Sequence, residues 1–226
     1  QGKLGIPNGI MGLYPAGGTV RFNGEPLELN DPKHVLLRRL AFVSEDRRGV
    51  GLLLDESLEW NISFPAMQMQ GRFLKPLLGG LIKLRDEKAM RKAAEEYIRM
   101  LEIKCTGSRQ AAKELSGGNQ QKVCLAKAFM LDPELLFVSE PTRGIDVGAK
   151  AIVLDVLRRY NKERGTTIVV VSSELEELRS VCDRVAVVSA GKIAGILSPA
   201  EEPTEFALYM SGVKGNGADT QGGGVQ

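Results

Sequence analysis

The residues best suited to chemistry begin at Leu115-Ser116-Gly117-Gly118-Asn119-Gln120-Gln121-Lys122-Val123. Two adjacent glycines and a serine stand just before an apolar-periodic stretch, Gln120 to Met130. That stretch predicts a helix with Val123, Ala126 and Phe129 or Met130 on one face. A helix start offers unpaired backbone N–H groups and the positive end of the helix dipole, which suits a phosphate. Ser116 adds a hydroxyl, and Gly117 and Gly118 let the backbone come close to a ligand. The same letters also suit an ordinary Ser-Gly-Gly loop capping a helix, so the run alone leaves both readings open.

A carboxylate follows at a telling place. Leu135-Leu136-Phe137-Val138 is a short apolar run that reads as a buried parallel strand, and Ser139-Glu140 ends it. Such a strand delivers Glu140 to the carboxyl edge of a sheet, where ligands sit in open α/β folds. A Pro141-Thr142-Arg143-Gly144 turn leads through Ile145 to Asp146 and a helical stretch, Val147 to Tyr160, with Ile152, Val156 and Tyr160 in register. A second apolar run, Thr167 to Val171, ends in Ser172-Ser173-Glu174.

In this order the motifs resemble the nucleotide-binding domain of ABC transporters. More narrowly, Leu115–Val123 together with Glu140–Lys150 resembles the second, C-terminal domain of tandem ATPase subunits of bacterial sugar importers, the ribose, galactose, xylose and arabinose type. Glu45-Asp46-Arg47-Arg48-Gly49 and Ser172-Ser173-Glu174-Leu175 fit the same subgroup, and the resemblance runs from about Gly12 to Gly212. It implies a P-loop NTPase-like α/β fold with a mostly parallel core sheet, an antiparallel β patch and an inserted helical lobe at about 57–114. The expected domain covers 1–212 and is incomplete at its N-terminus; 213–226 is expected to be a disordered Gly-rich tail.

The resemblance also implies the chemistry. ATP and Mg²⁺ would be the ligands, in sites shared by two domains stacked head to tail. Ser116, Gly117, Gly118 and Asn119 would complete a site whose phosphate loop belongs to an N-terminal ATPase domain or a second copy. Glu140 stands at the position of the water-activating base, and Asp146 at the dimer seam. Glu45, Asp46, Arg47 and Arg48 form the loop that senses nucleotide and touches the membrane permease. A periplasmic sugar-binding protein would be an indirect partner, and the chain would sit at the cytoplasmic face of the inner membrane.

Several positions depart from the family pattern. A phosphate loop needs Gly-x-x-x-x-Gly-Lys-Ser/Thr between a strand and a helix; Gly2-Lys3 is not followed by Ser or Thr. Met11-Gly12-Leu13-Tyr14-Pro15 resembles the segment just after the loop's helix, so the strand–loop–helix unit is expected to lie upstream or to be missing. Ser139 occupies the position of the aspartate that orders Mg²⁺ and its waters. Ser173 stands where a histidine usually contacts the γ-phosphate. The single histidine, His34, is expected at the surface. The chain's own hydrolytic site is therefore expected to be degenerate.

The positioning elements are legible around these motifs. Gly17 to Leu29 reads as a β-hairpin turning at Asn23-Gly24, and Asp31-Pro32 starts a short helix through Arg39. Leu40 to Val43 is a buried strand that ends at the Glu45–Gly49 loop. Residues 57 to about 114 are less regular at first, broken by Pro65, Pro76 and Gly79-Gly80, and within them Asp86 to Leu101 is a strongly amphipathic helix. Arg184–Val188 and Lys192–Leu197 form a closing strand pair.

Composition narrows the function classes. Among 226 residues the net charge is +2 and aromatics are 5%, which argues against a nucleic-acid platform. Cys105, Cys124 and Cys182 are widely spaced and odd in number, which fits neither a disulfide framework nor a metal site. No run reaches the roughly 18 apolar residues of a membrane span. Two other functions stay open: a soluble, non-transport ABC-type ATPase, and a non-catalytic regulatory module.

Overall fold

A computed structural model describes residues 5–77 and 81–214. The expected Gly-rich tail, beyond Val213 and Lys214, lies outside the described residues. In chain order the elements are α1 (Gly5–Ile10), β1 (Arg21–Phe22), β2 (Glu25–Pro26), α2 (Pro32–Leu37), β3 (Leu40–Val43), α3 (Leu58–Gln70), β4 (Leu74–Leu77), β5 (Ile82–Arg85) and α4 (Glu87–Met100). They continue with α5 (Gly117–Phe129), β6 (Leu135–Ser139), α6 (Val147–Arg164), β7 (Thr167–Val171), α7 (Leu175–Val181), β8 (Val185–Ser189), β9 (Lys192–Leu197) and α8 (Pro203–Met210). Contacts divide the chain into two compact units, residues 7–173 and residues 174–226 with 1–6.

The unit 7–173 is built on a parallel sheet in the order β3-β6-β7. Strand β6 is central, and Leu136, Phe137, Val138 and Ser139 are all buried, as a strand covered on both faces requires. Helix α5 packs on β3 and on α3 and α4 of the helical lobe, so it is buried nearly all round rather than along one stripe. The rings of Phe129 and Tyr160 stack at 3.7 Å between centroids, closing the core under α6. The unit 174–226 holds the antiparallel pair β8–β9, and Phe206 of α8 is buried with Val185 and Val187.

Three elements differ from the sequence reading. The hairpin expected over Gly17–Leu29 narrows to two two-residue strands. Residues 58–70 form a thirteen-residue helix despite Pro65 in its interior. An interior proline costs about 3 kcal/mol, and here strong ends and burial offset it. Ser57 Oγ accepts from the Trp60 N–H at 3.2 Å, Gly71 closes the helix at φ 67°, and Leu58, Ile62 and Ala66 are fully buried. Finally, α5 begins at Gly117 instead of Gln120, which puts both glycines inside its first turn.

Candidate functional site

Ser116 is the N-cap residue of α5, but its hydroxyl makes no capping bond to the helix. It accepts instead from Asn119 Nδ2 at 2.9 Å, while Asn119 Oδ1 accepts from the Lys104 N–H at 2.9 Å. An N-cap serine ordinarily satisfies one of the helix's unpaired first-turn N–H groups. Here that duty is left undone, and Ser116 is exposed with Gly117, Gly118 and Asn119 half-buried. The result is a thirteen-residue helix whose positive end faces outward beside a fixed hydroxyl and amide. Those groups fit a phosphate supplied from outside.

Of the two glycines, Gly118 is the more tightly enclosed by what lies against it. A Cβ on Gly118 would stand 3.2 Å from Ala149 Cβ, and one on Gly117 3.4 Å from the Gly144 carbonyl oxygen. The turn before α6 thus lies directly against the first turn of α5. Asp146 caps α6 by accepting the Ala149 N–H at 2.9 Å and is exposed. Its neighbour Val147 is 83% exposed, an apolar side chain standing clear at the mouth of this corner.

The Glu45–Gly49 loop folds as a five-residue π-helical turn, Arg47–Gly51, and three of its four expected residues are engaged inside the unit. Glu45 pairs with Arg143 at 3.3 Å. Asp46 caps the turn by accepting the Gly49 N–H at 2.8 Å. Arg47 donates to the Gly117 carbonyl at 3.4 Å, so its guanidinium touches the phosphate-type corner itself. Arg48 is exposed. Lys127, ten residues further along α5 than Gly117, donates to the Gly51 carbonyl at 2.9 Å. Burial lowers the pKa of its ammonium. Sequence reasoning missed Lys127, Arg143 and Lys104 as partners of these loops, because each pair is distant along the chain and carries no local signal.

The second corner lies at the carboxyl ends of β6 and β7. Glu140 has φ 46°, its N–H donates to the Val171 carbonyl at 2.7 Å, and it is only 8% exposed. A left-handed glutamate costs about 1–3 kcal/mol and survives only where its surroundings hold it. Ser173 Oγ donates to Glu140 Oε2 at 3.1 Å, so the two residues are brought together. Ser139 is fully buried, and its Oγ has no hydrogen-bond partner among the described residues. A buried, unpaired neutral hydroxyl does not supply the charge that Mg²⁺ needs. Among the described residues no group of three His, Cys, Asp or Glu side chains could hold a metal. The donor set of this corner therefore does not fit Mg²⁺ by itself.

His34 departs from its expected surface position. It sits in α2 with a side chain 32% exposed, its Nδ1 3.6 Å from Glu28 and its Nε2 buried without a partner among the described residues. The strand expected after it, β3, and the cap Asp31 stand as read, with Asp31 accepting from the Lys33 and His34 N–H groups. The cysteines are all free. No helix among the described residues is long and apolar enough to cross a membrane.

Comparison with known proteins places this geometry. The model of a family described as "ABC transporter" matches residues 1–143. The match starts at residue 1, so it takes in the first ten residues, in which sequence reading found no resemblance. The ribose import ATP-binding protein RbsA of Bacillus cereus is 35% identical over 211 residues, covering 93% of this chain and 40% of that protein. Ribose import ATP-binding protein RbsA 2 of Rhizobium etli is 38% identical over 217 residues, covering 96% of this chain and 41% of that protein. The chain thus spans about two-fifths of the length of these relatives. In three dimensions it is similar to a dimeric ATP-binding cassette in a post-hydrolysis state with ADP and Pi, with a TM-score of 0.70, 24% identity, and coverage of 89% of this chain and 82% of that one. A second likeness is to cbiO1 of Clostridium perfringens, TM-score 0.68 at 21% identity, covering 93% of this chain and 76% of that one. At such identities these two show the fold alone.

Proposed function

The chain belongs to the ABC transporter family, and we propose that it is the ATP-binding domain of a bacterial carbohydrate importer that completes an ATP site carried mainly by a partner domain. In this reading Ser116 and the first-turn N–H groups of Gly117, Gly118 and Asn119 receive the γ-phosphate of ATP held by the phosphate loop of an N-terminal ATPase domain or a second copy. Asp146 and Val147 lie along the seam. ATP supplies the energy of closure when bound between the two domains. This chain's residues bind and orient its terminal phosphate, and Glu45, Arg47 and Lys127 carry the displacement of α5 into the 45–51 loop. Arg48 then meets the membrane permease at the cytoplasmic face of the membrane, with a periplasmic sugar-binding protein acting through that permease.

The carrying observation is the uncapped, outward-facing first turn of α5, tied by Arg47 to the neighbouring loop. Likeness to ribose import ATP-binding proteins supports the carbohydrate class. The chain's own carboxylate corner holds Glu140 but not a metal, so hydrolysis is assigned to the composite site; no step here runs through Mg²⁺ at Ser139.

The test is ATP turnover by this chain alone and then mixed with an N-terminal ATPase domain of the tandem type, each with and without Ser116→Ala. Silence alone, turnover on mixing and its loss with Ser116→Ala are expected. Robust turnover by the isolated chain would overturn the assignment, as would a mixed pair indifferent to Ser116→Ala.

A further inference from the structure

A cleft of about 350 Å³ opens in the helical lobe between the N-terminal ends of α3 and α4, and none of its lining residues belongs to either nucleotide corner. Its volume lies within the range of small-molecule sites, about 300–1,000 Å³. Trp60 and Met90 supply the apolar wall. Around them three arginines, Arg85, Arg91 and Arg109, are matched by three glutamates, Glu56, Glu59 and Glu87, so the lining carries no net charge. The polar floor is fixed in advance. Glu59, its side chain 16% exposed, accepts at Oε2 from Arg91 Nε at 3.1 Å and from Ser108 Oγ at 3.0 Å. Its backbone N–H donates to the Ser108 carbonyl at 2.8 Å. These bonds hold α3, α4 and the 107–110 loop together, which lowers the ordering cost of binding. Among the described residues no hydrogen bond reaches Glu59 Oε1, the terminal nitrogens of Arg91 or the Arg109 guanidinium. An acceptor-only carboxylate and a donor-only guanidinium thus stand side by side with capacity to spare.

We infer that this cleft binds a neutral polyhydroxylated ligand, a monosaccharide, on the ATPase domain itself. A hydroxyl both donates and accepts, so two neighbouring sugar hydroxyls satisfy Glu59 Oε1 and an Arg91 terminal nitrogen together. The C–H groups of the same ring lie against Trp60 and Met90, the usual division of a small-molecule site into apolar wall and few placed polar groups. A lining without net charge gives no electrostatic advantage to a phosphate, a nucleotide or a cation, and a phosphate here would stand against the Glu59 carboxylate. Helices α3 and α4 both pack on α5, so an occupied cleft joins the very helices that support the phosphate corner. The inference is independent of nucleotide, and so is its test.

The full chain, without nucleotide, is titrated in a calorimeter with D-ribose, D-galactose, inorganic phosphate and glutamate. A saturable heat with at least one of the two sugars is expected, and none with phosphate or glutamate. Trp60 is the single tryptophan, so its fluorescence is expected to move in parallel with the heat. Arg91→Lys keeps a cation beside Glu59 without the free nitrogens of the guanidinium fork, and weakens sugar binding about tenfold. Arg109→Ala weakens it about fivefold. That side chain is exposed and unbonded among the described residues, so circular dichroism and the melting temperature stay unchanged. No saturable heat up to about 10 mM sugar, ten times a millimolar dissociation constant, overturns the inference. So does a heat without a change in Trp60 fluorescence, or equal binding by wild type and both variants. Tighter binding of phosphate or glutamate than of either sugar would overturn it in favour of an anion site.

Discussion

The two corners of the core unit share one connecting turn, residues 140–146, yet they are built to opposite standards. At the α5 corner every expected polar group is held by a neighbour: Asn119 by the Lys104 N–H, Ser116 by Asn119, the Gly117 carbonyl by Arg47. At the β6 corner the base-like Glu140 sits in a costly backbone conformation beside a serine donor, and Ser139 is buried with its hydroxyl unpaired. The difference teaches where function has been kept. Precise positioning is kept at the corner that we propose serves a partner's phosphate. The corner at Glu140 keeps its skeleton without a charge that would hold a metal.

The largest effect that can break this contrast is on turnover of the assembled pair. Ser116→Ala is expected to lower ATP turnover of this chain mixed with an N-terminal ATPase domain about 100-fold, the scale of losing one preorganised donor. Glu140→Gln is expected to change the same rate less than about twofold. Steady-state phosphate release measures both. If Glu140→Gln proved the more damaging change, the two corners would exchange roles.

Arg47→Ala comes next. Its single long hydrogen bond to Gly117 from a half-buried position contributes little to folding, about 0.5–1 kcal/mol by urea denaturation. Its effect on turnover of the mixed pair is expected to be larger, about fivefold to tenfold, because the loop no longer holds the first turn of α5. A loss of stability with unchanged turnover would show the contact to be structural alone.

What was legible in the sequence was local. Asp31-Pro32 marks the start of α2, Asp86 marks that of α4, and the apolar run into Ser139-Glu140 marks β6. Each is a short-range pattern that the backbone obeys. Helix α3 escaped because Pro65 breaks the helical pattern in sequence, while Leu58, Ile62 and Ala66 rescue it only through burial against other elements. The ties of the α5 corner escaped for a different reason. Arg143 and Glu45 are 98 residues apart, and Lys127 and Gly51 are 76 apart. No periodicity announces pairs of that separation; only the parallel order β3-β6-β7 brings them together.

The dryness of the α5 side gives a pH-dependent test. Cys124 lies behind the 45–51 loop, and a Cβ on Gly51 would stand 3.0 Å from its sulfur. Burial pushes its thiol from the ordinary 9.0 up to about 12. Between those values the unfolded chain releases the proton first and the folded chain keeps it, so stability falls as pH rises through that window. Between pH 8 and pH 10 this thiol alone is expected to remove about 1.4 kcal/mol of stability, the part of the wild-type loss that Cys124→Ala abolishes. Denaturant melts at the two pH values measure it. Equal pH slopes for wild type and variant would mean that water reaches this side of α5.

The smallest effect belongs to Ser139, and its sign is the informative part. A buried hydroxyl without a partner has given up its hydrogen bonds to water and recovered nothing, so deleting it relieves a desolvation cost. Against that stands the cavity left by one oxygen, which in a packed sheet costs a few tenths of a kcal/mol. Ser139→Ala is therefore expected to leave stability unchanged or raise it by up to about 1 kcal/mol, with turnover of the mixed pair unaffected. A loss of more than about 1 kcal/mol would mean that the hydroxyl is bonded in solution. The carboxylate corner would then be a second finished site, and the contrast between the two corners would fall.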